Sequence, residues 1–238
     1  MSTTLNKKVM DGVALVTLAE CVYVGDGTGE TLKDRLNTLE GTAPTNKTTY
    51  KKWVTIGDSL TFGGWGYEAN KVLNINEYIN LALSGATLHN SNGMIKQAEK
   101  VDSDTDLVVI MGGTNDMGWF NGMYGGAKDK GTFGEKTTET FIGAYQLIIE
   151  TLLEKNNKMK IILITPPRAF DMDRSFLATI GDWVKEVAQF YGLPCIDAYN
   201  CLGINDFNKD SFHSDLLHYN AEGNKRLGKT FANQIMSF

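Results

Sequence analysis

The stretch Trp53-Val-Thr-Ile-Gly-Asp-Ser-Leu-Thr61 sets the reading of the whole chain. Its first four residues are aromatic or mostly β-branched, as suits a strand. A glycine then lets the backbone bend sharply, and an aspartate and a serine stand where the pattern turns helical. Similar short apolar runs recur at Glu77-Tyr-Ile-Asn-Leu-Ala82, Asp106-Leu-Val-Val-Ile-Met111, Lys160-Ile-Ile-Leu-Ile-Thr165 and Leu193-Pro-Cys-Ile-Asp197. Continuous Val/Ile runs of this kind fit parallel strands covered on both faces. Helical patterns lie between and after them, at 66–74, 91–100, 137–155, 174–191 and 220–236. Strand and helix in alternation predict an α/β domain with a doubly wound parallel sheet of five strands. Ligands of such sheets bind beyond the carboxyl ends of the strands, so the residues just after each strand are the ones to read for chemistry.

Composition agrees with a folded domain. The 238 residues are 42% hydrophobic and 21% charged, far from the signature of disorder. With 23 basic and 28 acidic side chains the formal charge is −5, which argues against a nucleic-acid partner. No apolar run approaches the 18 to 20 or so residues of a membrane span. The apolar stretch Val13–Ala19 follows Lys7-Lys8 but is preceded by Asp11 and followed by Glu20, so it does not read as a cleaved signal. That leaves a cytoplasmic, virion-associated or extracellular location open. Cys21, Cys195 and Cys201 form no CxxC pair and are expected to be inert thiols. The sequence has no metal-ligand cluster, no phosphate loop followed by lysine and no dinucleotide fingerprint, so no cofactor and no metal are expected.

Residues 1–50 read as an appendage and linker, and 51–238 as the main domain. Leu32, Leu36 and Leu39 are spaced as the seam of a short helix. A helix this short needs a partner, which is either its own chain or a second copy joined through residues 22–39.

Four turns follow the strands or precede the last helix: Gly57-Asp58-Ser59-Leu60, Leu83-Ser84-Gly85-Ala86, Gly112-Gly113-Thr114-Asn115-Asp116 and Asp215-Leu-Leu-His218. Together they resemble the signature blocks of the GDSL/SGNH hydrolases, in the family's order, over about Trp53 to Phe238. The resemblance implies a flavodoxin-like three-layer α/β/α sandwich and ester or thioester hydrolysis through an acyl-enzyme. It implies Ser59 as nucleophile, His218 as base and Asp215 as the carboxylate that orients the base. The implied oxyanion hole is the backbone N–H of Ser59, the backbone N–H of Gly85 and the side-chain amide of Asn115.

The residues support the same chemistry on their own terms. A serine hydroxyl needs an adjacent base to act as a nucleophile, although Ser59 also reads simply as a helix cap. Of His89, His213 and His218, His218 is read as the base, with Asp215 three residues upstream in the turn before the last helix. His213 reads as an exposed loop residue, His89 as a surface or capping one, and Asp58 and Asp116 as loop supports. The glycine-rich, aromatic segment after the third turn, Met117 to Gly134, is expected to contact substrate or to form a lid. Trp119, Phe120 and Tyr124 are its candidates for stacking on a sugar or walling an acyl chain, and pinning the loop is the alternative. Trp65 and Tyr67 flank the helix that carries Ser59, and Arg168 is placed at the pocket rim.

The expected substrate is a small-molecule or carbohydrate ester, with acetyl as the acyl group. A lysophospholipase or thioesterase of the same family is the alternative. A receptor-binding module is another, because the segment Val22–Leu39 resembles anchoring segments of phage tail fibres and baseplates. Fourteen of the 25 glycines fall between Gly57 and Gly134, the window that holds the serine turn, Gly85 and Asn115.

Overall fold

A computed structural model describes residues 50–88, 93–116, 129–170 and 174–238. The chain divides into two units, Met1–Lys47 and Thr48–Phe238, and the description concerns the second. The readings made on residues 1–49, on His89 and on Trp119, Phe120 and Tyr124 lie outside the described residues.

Five strands, β1 (Lys52–Gly57), β2 (Glu77–Asn80), β3 (Leu107–Met111), β4 (Lys160–Ile164) and β5 (Cys195–Ile196), pair in parallel in the order β2-β1-β3-β4-β5. This is the flavodoxin-like order, with its switch point between β1 and β3. The helices are α1 (Ser59–Phe62), α2 (Trp65–Leu73), α3 (Met94–Ala98), α4 (Phe141–Lys155), α5 (Arg174–Tyr191), α6 (Ala198–Cys201) and α7 (Ala221–Ile235).

The two-residue period of a strand sorts the apolar runs into two cores. Val54, Ile56, Val108, Ile110, Ile161 and Leu163 face α3, α4 and α5. Trp53, Leu107, Val109, Met111, Ile162 and Ile164 face α2 and α7 on the other side. The central strands therefore have no polar face. Each such side chain taken fully out of water contributes about 1.5–3 kcal/mol.

Strand ends differ from expectation for local reasons. β2 ends at Asn80, whose Oδ1 accepts the Ala82 N–H at 3.0 Å, while the Leu81 and Leu83 N–H groups still donate to β1. β5 shrinks to two residues after Pro194, which has no N–H to give a ladder. The helix expected from 137 begins at Phe141, where the Thr140 hydroxyl accepts from the Gly143 N–H. Trp65, which opens α2 just after the serine helix, is fully buried, edge-on to Phe231 at 5.0 Å and tilted to Trp53 at 6.3 Å.

α2 and α7 pack so closely that a Cβ at Gly228 would lie 2.7 Å from the Trp65 carbonyl oxygen and 2.7 Å from the Ala69 nitrogen. Backbone cannot yield there, so only glycine fits. Among the described residues, no helix is long and apolar enough to cross a membrane. The Cys195 thiol is pushed up to about 12 by burial, as an unreactive sulfur would be.

Candidate active site

Asp58, not Ser59, caps α1: its Oδ1 accepts the Leu60 N–H at 2.9 Å. The serine is the first helical residue, and its hydroxyl is left for other work. The Ser59 Oγ lies 3.0 Å from the His218 Nε2, across 159 positions of sequence. The His218 Nδ1 lies 2.8 Å from the Asp215 Oδ2. With a carboxylate at Nδ1, that nitrogen carries the proton and Nε2 accepts from the serine hydroxyl.

Asp215 holds its own loop as well as the ring. Its Oδ1 accepts the Leu217 N–H at 2.7 Å and the His218 N–H at 2.5 Å. Partial burial of the carboxyl pushes its pKa up, but the His218 and Leu217 hydrogen bonds and the His218 charge outweigh this and bring it to about 2. The group is ionised wherever the protein would normally work.

The turn after β2 closes with the Ala86 N–H on the Leu83 carbonyl at 3.1 Å, and Gly85 sits in it at φ +72°. A turn of this type needs a left-handed residue at its third position, which favours glycine. Asn115, 7% exposed, donates from Nδ2 to the Ala86 carbonyl at 2.9 Å, so the third turn is held against the second. One amide hydrogen makes that bond, and the nitrogen carries another. The fully buried Asp116 accepts the Leu88 N–H at 3.3 Å and ties the same two turns together.

Arg168 is held by α6: its Nε donates to the Tyr199 carbonyl at 3.0 Å, and its guanidinium stacks 4.7 Å from the centre of the Tyr199 ring. His213 is not the exposed loop residue expected. It is 8% exposed, edge-on to Phe170 at 5.2 Å and against Tyr219 at 4.3 Å, beneath the loop that carries Asp215 and His218. Sequence reading also passed over Gln97, a buried residue whose side-chain amide meets Gly57 at the head of the serine turn.

Asp58 has a pH signature. Burial raises its carboxyl from 3.8 to about 6, against the Leu60 N–H, the Thr114 hydroxyl and the His218 charge, which lower it. An acid whose folded pKa lies above its unfolded one costs nothing below pH 4. It destabilises the fold progressively as pH rises to about 6, by up to about 3 kcal/mol. Asp58→Asn keeps an oxygen for the Leu60 N–H but removes the charge. It is expected to gain about 1–3 kcal/mol over wild type on going from pH 4 to pH 7.5 in urea unfolding. An equal difference at both pH values would show that Asp58 does not titrate in this range.

A model of the GDSL-like lipase/acylhydrolase family matches residues 55–226. The chain belongs to that family. The GDSL match runs from Thr55 within β1 to Arg226 within α7 and includes all four turns described above. No curated protein matches the chain. Among solved structures, a protein from Lactobacillus plantarum is similar at TM-score 0.69 and 16% identity, over 80% of this chain and 98% of that one. A lipase/acylhydrolase from Enterococcus faecalis is similar at TM-score 0.57 and 22% identity, over 79% and 96%. Est24, a carbohydrate acetylesterase from Sinorhizobium meliloti, is similar at TM-score 0.57 and 18% identity, over 79% and 99%. At these identities the likeness concerns the fold. Membership of the GDSL family supports an ester-hydrolysing, lipase or esterase activity.

Proposed function

We propose that this chain is a serine esterase that removes small acyl groups, acetyl foremost, from a carbohydrate or cell-surface polymer. The observation that carries the reading is the hydrogen-bonded chain from Ser59 through His218 to Asp215, at 3.0 and 2.8 Å. In this reading the Ser59 Oγ attacks the ester carbonyl carbon while its proton passes to the His218 Nε2. Asp215 stabilises the imidazolium. The tetrahedral intermediate collapses, the bond to the alcohol oxygen breaks, and that oxygen takes the proton from Nε2. Water then repeats the sequence on the acyl-serine and releases the acid.

The backbone N–H groups of Ser59 and Gly85 and the second amide hydrogen of Asn115 are the proposed donors to the oxyanion, a type of contact typically worth about 3–4 kcal/mol in the transition state. The acetyl-carbohydrate choice is supported by likeness in fold to Est24. It draws also on Trp119, Phe120 and Tyr124 as stacking surfaces, with Arg168 at the rim.

The test is turnover of p-nitrophenyl esters of increasing chain length. The expected result is hydrolysis of the acetate with a burst of p-nitrophenolate, and a rate that falls with longer chains. No turnover of any ester would overturn the esterase reading. Preference for long chains would overturn the acetyl part alone.

A further inference from the structure

Strand pairing is interrupted beside the serine turn, and a side chain fills the gap. Thr55 and Gly57 turn their peptide groups toward the β2 side, where the Thr55 carbonyl accepts the Leu81 N–H at 3.0 Å and the Gly57 carbonyl accepts the Leu83 N–H at 3.2 Å. Past that point the chain leaves for the Gly85 turn, and the Gly57 N–H has no strand beside it. Gln97, on α3 and 1% exposed, stands there instead. Its Oε1 accepts the Gly57 N–H at 2.9 Å and its Nε2 donates to the Gly57 carbonyl at 2.9 Å. A carboxamide has the shape and polarity of one peptide unit, so Gln97 acts as a single residue of the missing strand.

Resting on the serine-esterase reading, we propose that Gln97 is a positioning residue for catalysis: by clamping both polar groups of Gly57 it sets the orientation in which Ser59 meets His218. Gly57 is two residues from Ser59, and the Asp58 peptide between them leads directly into the serine N–H that this reading assigns to the oxyanion. A small rotation at Gly57 would turn both the hydroxyl and that N–H away from a reacting carbonyl, and misplacements of that order cost rate more than binding. The alternative, that Gln97 merely satisfies buried backbone, predicts a loss of stability and no change in kcat.

Two variants separate these. Gln97→Met keeps the volume and removes both hydrogen bonds. At a temperature well below unfolding it is expected to lower kcat for p-nitrophenyl acetate 10- to 100-fold with KM changed less than threefold. Gln97→Glu reproduces the donor and acceptor pattern only while its carboxyl is protonated, since a carboxylate would face the Gly57 carbonyl. Its kcat relative to wild type is therefore expected to fall as pH rises from 5 to 8. A wild-type kcat in folded Gln97→Met, or a flat ratio in Gln97→Glu, would overturn the proposal. Should Gln97→Met fail to fold, the Gln97→Glu ratio decides alone.

If wild type turns over no ester, the esterase reading fails separately, and hydrogen exchange at the Gly57–Leu60 amides then tests the clamp. Exchange faster than wild type at pH 8 and matching it at pH 5 in Gln97→Glu supports the clamp; no difference at either pH overturns it.

Discussion

Ser59→Ala is expected to lower kcat for p-nitrophenyl acetate by about 10³- to 10⁴-fold or more and to abolish the burst. The Ser59 Oγ lies 3.0 Å from the His218 Nε2 and is a hydroxyl that can become covalently acylated. His218→Ala should lose about as much, and the double variant little more, because a nucleophile and its base act as a unit. Stability should hardly change, since the cap of α1 is supplied by Asp58. Rates and urea midpoints on the same preparations decide the matter. A Ser59→Ala rate within tenfold of wild type would mean that hydrolysis, if present, is carried by another group.

Asp215→Asn is expected to cost about 10²- to 10⁴-fold in kcat with the loop intact. The Asn oxygen can still accept the Leu217 and His218 N–H groups that Oδ1 holds now. The amide nitrogen, however, would face the His218 Nδ1 as a donor. That forces the proton onto Nε2, where it confronts the serine hydroxyl with a donor in place of an acceptor. The imidazolium also loses the charge that stabilises it. A near-normal rate would show that a different acid orients His218. Loss of the folded state instead would show that the carboxylate serves the loop before it serves the ring.

The parallel sheet was legible because a strand buried on both faces has no polar positions to hide its period, as in Leu107–Met111 and Lys160–Ile164. The strand tips were legible because glycine, aspartate, serine and asparagine accumulate where backbone must turn. Ser59, His218, Asp215, Gly85 and Asn115 were singled out on residue type and spacing together with a family resemblance, since nothing local to Ser59 points 159 residues down the chain.

What escaped notice depends on contacts at a distance. Gln97 reads as the polar side of a helix until Gly57, 40 residues earlier, is laid beside it. A polar side chain between Met94 and Ala98, both wholly buried, was the only hint. His213 looked exposed because its cover, Phe170, comes from the loop after β4.

The close crossing at Gly228 bears on how this site tolerates change. Ser59 lies six positions ahead of α2, and His218 three ahead of α7. The serine and the histidine thus hang from the leading ends of two helices locked backbone to backbone. Their 3.0 Å separation is set by a stiff joint, and the loops between and around them inherit it. Substitutions on the described surface that leave this crossing intact are therefore expected to leave the alignment of base and nucleophile unaltered.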